Sequence, residues 1–466
     1  MAIKHPIGKA LEATMIKDVP SYGNKFFYSL GFLSMISFVM LIVTGLLMTF
    51  YGSNWWLTSG LGAYTRSIHL WATQAFVLFM LLHLMVVFFT SGFKKPRRLT
   101  WVVGIVMLFV VLAETEFGYA LRGDYSSQWR SLQGADFYNG SGIGRWINPL
   151  NYKQIYGIHI VIIPLVIIGL LLLHYLLVRV LGIAKPYRKD VSARSVPANH
   201  RLLFMRGGVL IVLILALALL LPSPFIKPTS IESVAKQDPF LFKKTLIAEF
   251  DGSSNTATYV DNIAPYAFQT KTIFIEMPYY KFTQTQTNIT DQLRVFNAES
   301  AGVRDQQLKE ASSYYSKDKP SGNLAISPVT LVVDSLTTMA QSGLYESAIN
   351  SAVYRDHFSD GSTYVLRFLA DTGVLEEKAT ALNITTDQYG MIREESGHAP
   401  GAWWLSPIGL LNHSILSGDN NADRDASIIF GSLLLTMVAF PFIPYVNQIP
   451  DKLKVYKLIW HEKKHN

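Results

Sequence analysis

No cysteine occurs among the 466 residues. Its absence excludes disulfides, thiolate-held zinc or iron–sulfur centres and any thioether-linked cofactor within the chain. Charge is also scarce: Asp, Glu, Lys and Arg make up 16%, against about 25% in an ordinary soluble domain. The N-terminal MAIKHPIGKALEATMIKDVP has no apolar core of the signal-peptide kind. Residues 1–26 read instead as an amphipathic lead-in on a membrane surface. What is present is apolar. Hydrophobic residues reach 50%, aromatics 13%, and mean hydropathy is +0.25. The composition points to a membrane protein carrying a soluble part. The net charge of +8 sits in short loops between apolar runs, which is a topology pattern and excludes a nucleic-acid patch.

Six runs, at about 27–50, 66–92, 99–121, 155–181, 203–222 and 426–446, meet the length of about 20 apolar residues that a membrane crossing needs. Lys4, Lys9, Lys17 and Lys25 precede the first run, and Lys94, Lys95, Arg97 and Arg98 separate the second from the third. Lys185, Arg188, Lys189, Arg194, Arg201 and Arg206 separate the fourth from the fifth, and Lys452, Lys454, Lys457, Lys463 and Lys464 follow the sixth. Six crossings put all four clusters on one side, which the positive-inside rule makes cytoplasmic, with both termini. Residues 227–425 then lie outside as one soluble insert. KTIFIEM (271–277) reads there as a strand. Ser327–Pro328 opens a helix running to about Asn350 with Gly343 inside it, and a second candidate, Tyr364–Leu382, is broken by Gly373. The expected fold is all-α in the membrane: a four-helix bundle over 27–190, further crossings at 200–225 and 426–446, an α+β insert and a cytoplasmic tail at 447–466.

Histidine is costly in hydrocarbon and marks function there. The second run holds His69 and His83, and the fourth holds His159 and His174. Intervals of 14 and 15 residues place each pair near one helix face, about 21–22 Å apart along the axis. The topology makes these two runs parallel, so His69 faces His159 near the outer surface and His83 faces His174 near the cytoplasmic one. Two stacked bis-histidine sites suit haem iron. Gly31 and Gly45 in the first run, and Gly104 and Gly118 in the third, repeat the 14-residue interval. They leave room for a flat macrocycle at both levels.

With these features, residues 25–185 resemble the haem-bearing half of cytochrome b and cytochrome b6, the membrane subunit of bc1 and b6f complexes. The glycine pairs, Arg66 ahead of His69, the H-x13-H and H-x14-H spacings, Pro164 and HYLLVRVLGI carry the likeness. The resemblance implies two haem b, with iron held by His69 and His159 at the outer level and by His83 and His174 at the inner. It further implies a propionate paired with Arg66, a quinone substrate, a homodimer, and a Rieske Fe–S protein and c-type cytochrome as separate chains. The chain departs from the family in lacking Pro-Glu-Trp-Tyr. IKPTS (226–230) stands about where that motif would be, GYALRGDYSSQW (118–129) has Arg122 in place of a proline, and the cysteine for a third haem is missing.

A substitute carboxylate is at hand. Glu114 and Glu116 are two apart and point about 200° away from each other. Glu114 shares the face of Gly118 and is the candidate quinol proton acceptor. Asp124, Tyr125 and Trp129 are candidates to complete that site, and Arg179 and Lys185 to serve a quinone on the cytoplasmic side. His357, His398 and His413 read as surface histidines. The functional expectation is transmembrane electron transfer within a bc-type quinol oxidoreductase of a respiratory or photosynthetic chain. The alternatives are a dihaem subunit of another quinone-linked oxidoreductase without a Rieske partner, and a structural subunit that retains haem.

Overall fold

The computed structural model describes residues 16–184, 194–260, 269–284, 290–317, 322–351, 359–385, 401–419 and 421–460. Among them, six helices are long and apolar enough to cross a membrane. They are α1 (Leu30–Thr58), α2 (Gly60–Phe89), α3 (Arg98–Ala120), α5 (Tyr152–Leu181), α6 (His200–Leu220) and α7 (Ala422–Ala439), with a surface helix α4 (Tyr125–Gly140) between α3 and α5. A helix pairs its backbone polar groups within itself, as hydrocarbon demands. Residues 1–15 of the lead-in, Lys185, His357 and His398 lie outside the described residues.

The turn between α1 and α2 is tight. Ser59 accepts a hydrogen bond from the Gly62 amide at 3.0 Å, and a Cβ on Gly62 would stand 2.4 Å from the Trp55 carbonyl oxygen. Only glycine admits that approach. α1 and α2 therefore pack along their lengths, with α6 against both, while α3 packs on α5. The α2–α3 loop is tied to the C-terminus of α5 at the same end of the bundle. Arg97 donates to the carbonyls of Leu181 (2.7 Å) and Gly182 (3.2 Å), satisfying groups that the C-terminus of α5 leaves free. A short antiparallel pair, β1 (Asp18–Pro20) with β2 (Ser195–Pro197), joins the segment before α1 to the one before α6.

The insert is where expectation fails. The described residues between α6 and α7 form helices and no strand. KTIFIEM is a π-helical turn, Lys271–Glu276, running into the helix Met277–Gln284. Its β-branched and aromatic residues read as a strand because Ile273, Phe274 and Ile275 are all fully buried, and a short, wholly buried apolar run has the same pattern in either conformation. Here it packs among helices without a pairing partner, and packing decides. The other two expectations survive with breaks at their glycines. Pro328–Gln341 is followed by Leu344–Asn350 across Gly343 (φ 78°), and Gly361–Asp371 by Val374–Ala381 across Gly373 (φ 74°). Phe242, Phe274, Tyr345 and Phe368 centre the core, to which α4 contributes Tyr125, Leu132 and Ala135.

Candidate haem site between α2 and α5

His69 and His83 project from α2 toward His159 and His174 of α5. The ring centroids are 6.4 Å apart in both pairs, with the planes crossed at 72° and 79°. The pairing 69–159 and 83–174 requires α2 and α5 to run parallel. It also absorbs the unequal spacing. Ile158–Ile162 is a π-turn, closed by the Ile163 amide on the Ile158 carbonyl, so one extra residue fits into a single wide turn.

All four site glycines meet an imidazole. A Cβ on Gly45 would lie 3.4 Å from His69 Cε1, on Gly118 3.0 Å from His159 Cε1, on Gly31 3.3 Å from His83 Cε1, and on Gly104 3.5 Å from His174 Cε1. α1 thus serves the histidines of α2, and α3 those of α5, each helix running antiparallel to the one it serves.

The dimensions can be tested against a metal. Two imidazole nitrogens bound to one first-row ion at about 2.0–2.1 Å, plus about 1.1 Å to each ring centre, give centroids about 6.3 Å apart. The observed 6.4 Å fits. Around His69 and His159 a cavity of about 480 Å³ opens, lined by Gly45, Gly118, Arg66, Glu114 and Tyr156 among others. Arg66 donates to the Ser223 carbonyl at 3.2 Å and lies over Phe225, while its buried Nε and Nη1 make no hydrogen bond among the described residues. Two orphaned guanidinium donors suit a carboxylate such as a propionate. His69 Nδ1 lies 2.8 Å from the Thr44 hydroxyl, whose own proton goes to the Met40 carbonyl at 2.7 Å. Nδ1 is therefore the donor, and the Nε2 lone pair is left for a metal.

The sequence profile described as cytochrome b (N-terminal)/b6/petB matches residues 74–233. Cytochrome b6 of Heliobacterium mobile is 33% identical over 202 residues, which are 39% of this chain and 95% of that protein. The chain belongs to the cytochrome b/b6 family. Cytochrome b6 of Acaryochloris marina is similar at 32% identity over 192 residues, 36% of this chain and 89% of its own. A solved chain from a hyperthermophilic respiratory complex III aligns over 95% of this chain and 98% of its own at 14% identity, with a TM-score of 0.42, too distant to fix a fold. Membership of the cytochrome b/b6 family implies haem b and an integral membrane location, and the glycine cradles, ring spacing and orphaned Arg66 donors fit that group.

Other candidates are drawn elsewhere. Glu114 Oε1 lies 3.0 Å from His159 Nδ1, so its first partner is a histidine. Glu116 points away, 3.8 Å from Arg130, which itself stacks 4.1 Å over Tyr119. Asp124 caps α4 and pairs with Arg122 at 2.9 Å. The Tyr125 hydroxyl donates to the Leu375 carbonyl, and Trp129 Nε1 to that of Ile384 at 3.1 Å. Thr229 of IKPTS exchanges hydrogen bonds with Gln128. Tyr125, Gln128 and Trp129 latch the bundle to the insert, and neither they nor Asp124 line the cavity. His413 ends the helix Ser406–His413, also away from it.

Sequence reasoning missed Gly401–Trp404. Trp403 Nε1 donates to Gln74 Oε1 at 2.8 Å, Gln74 Nε2 donates to the Gly401 carbonyl at 3.3 Å, and Trp404 packs on Tyr119. Two adjacent tryptophans at Trp403–Trp404, ahead of the helix Ser406–His413, were the available signal.

Proposed function

We propose that this chain is the dihaem b-type cytochrome of a bc-type quinol oxidoreductase complex, carrying electrons across the membrane. The observation that carries the reading is the double one: two imidazole pairs at 6.4 Å, each backed by glycines. His69 and His159 would hold one haem and His83 and His174 the other, with Arg66 on a propionate. Haem b supplies a one-electron iron couple at each level. The distribution of Lys and Arg supports cytoplasmic termini in a bacterial or archaeal cytoplasmic membrane and an extracytoplasmic insert at 227–425.

In this reading the outer haem takes the cavity at His69–His159, and quinol oxidation, which releases two electrons and two protons, would take place against its edge beside Tyr119 and Trp56. Glu114 lines the cavity. Oε1 is engaged on His159 while Oε2 makes no hydrogen bond among the described residues, which leaves Oε2 for a quinol proton. Gln74 and Trp403 fix the neighbouring wall. A quinone at the cytoplasmic surface would complete the path, and a Rieske protein, a c-type cytochrome and a second copy of the chain are the proposed partners. The absence of Pro-Glu-Trp-Tyr favours one alternative, a dihaem subunit of a quinone-linked oxidoreductase without a Rieske partner. Optical redox titration of the purified protein tests the core reading: two b-type steps are expected, and one step or none refutes it. A Rieske subunit in the purified complex separates the two versions.

A further inference from the structure

A second hollow, of about 610 Å³, lies at the end of the bundle where α2 gives way to α3. Lys94, Lys95 and Arg98 line one wall, and Asp451, Lys452 and Lys454, from the chain beyond α7, line the other. Only one of these six is an acid, and it is taken. Asp451 Oδ1 accepts from the Ser91 hydroxyl at 2.7 Å and Oδ2 from Lys94. That double tie holds the two walls together. Lys95, Arg98, Lys452 and Lys454 are left with no carboxylate partner among the described residues.

A basic stretch that serves topology alone can spread its side chains into water. Here the cations converge on one hollow, where an anion relieves their mutual repulsion. Arg98 gives the sharper sign. Its Nε is buried and makes no hydrogen bond among the described residues, and the guanidinium lies 5.0 Å over the Phe442 ring. A planar fork held on a ring, with a donor unsatisfied, suits phosphate oxygens. The neighbouring side chains say which phosphate. Leu99, Phe442, Ile449 and Leu453, interleaved with these cations along the chain, are large, apolar and exposed. Apolar groups around a charged hollow match an amphiphile, with its chains outside and its headgroup within. The wall beyond α7 also lies outside residues 74–233, which the family profile matches, so the hollow is a feature of this chain.

We propose that this hollow binds a phosphate-bearing anion, the headgroup of an anionic membrane lipid, which bridges the α2–α3 loop and the segment after α7.

The test uses the full chain, purified in detergent and stripped of lipid, with dioleoyl phosphatidylglycerol as the probe and native mass spectrometry to count bound lipid through a titration. Wild-type protein is expected to hold one phosphatidylglycerol that dioleoyl phosphatidylcholine, with a phosphate but no net charge, does not displace. Lys95→Gln/Lys452→Gln takes one exposed cation from each wall and is expected to bind it roughly 30-fold more weakly. Arg98→Lys keeps the charge without the fork, and a smaller loss is expected. Lys17→Gln/Arg201→Gln removes two exposed cations outside the hollow and is expected to bind as wild type does. Inorganic phosphate in excess is expected to leave the lipid in place. Direct binding of inorganic phosphate that displaces the lipid and fails in Lys95→Gln/Lys452→Gln would keep the phosphate chemistry and overturn the lipid as its source. Equal losses in the two double variants, phosphatidylglycerol undiminished in Lys95→Gln/Lys452→Gln, or no binding of either probe would overturn the inference.

Discussion

Replacing each site glycine by alanine makes a graded test, because the four Cβ clearances differ. Carbon atoms rest comfortably at about 3.5–4.0 Å. At Gly104 the added methyl would sit 3.5 Å from His174 Cε1, within that range, whereas at Gly118 it would sit 3.0 Å from His159 Cε1. The ring or the helix must give by about 0.5 Å there, and overpacking of that kind costs about 1–3 kcal/mol. Gly31 and Gly45, at 3.3 and 3.4 Å, fall between. Against this, alanine stabilises a helix interior by about 0.5–1 kcal/mol over glycine. Gly104→Ala is thus expected to keep haem and gain slight thermal stability. Gly118→Ala is expected to lose affinity at the His69–His159 level by roughly 5- to 150-fold, at 1.4 kcal/mol per decade. The assay is the haem-to-protein ratio by pyridine haemochrome, with redox titration to identify the depleted site. A Gly118→Ala protein with two haems, beside a Gly104→Ala protein that has lost one, would refute the steric reasoning.

Three other outcomes are expected. His69→Ala should remove one optical redox step and His83→Ala the other; loss of the same step in both would merge the two sites into one. Trp403→Phe removes the hydrogen bond that Trp403 Nε1 donates to Gln74 Oε1, at a cost of about 0.5–1.5 kcal/mol. A lower melting temperature in detergent, with haem retained, is the readout. Glu249, fully buried in the insert, has its carboxyl raised well above 4.5, first by burial and then by Asp371 beside it. Folding therefore holds a proton that the unfolded chain loses near 4.5. Stability should fall as pH rises through that window, by at most about 1.4 kcal/mol per unit. Glu249→Gln should flatten the melting temperature of the whole protein against pH, and an unchanged slope would count against it.

The spans and the histidine and glycine intervals were legible because each rests on a single strong term: hydrocarbon length, the cost of imidazole in lipid, the helical repeat. The face shared by Glu114 and Gly118 was legible for the same reason. Its partner was not, since nothing local distinguishes a carboxyl aimed at a quinol from one aimed at His159. KTIFIEM misled because uniform burial erases periodicity. Trp403 finds Gln74 across 329 positions of chain, and no local pattern announces a meeting at that range. Asp124, Tyr125 and Trp129 were plausible site residues by chemistry and proved to be joinery, a distinction that only the packed insert makes.

The wide turn at Ile158–Ile162 bears on how such proteins are compared. Pro164 follows it directly and has no amide to give to Ile160, so a regular helix would be faulted at this point in any case. The surplus residue is lodged where the hydrogen-bond ladder was already to be interrupted, and His159 returns to phase with His174 within one turn. A one-residue insertion between two ligands would ordinarily swing one of them about 100° out of line. Here both imidazole pairs keep the same 6.4 Å separation. Ligand spacing counted along a chain is accordingly a poor ruler for ligand geometry, and an alignment that charges heavily for a gap inside a helix penalises a change the binding site never feels.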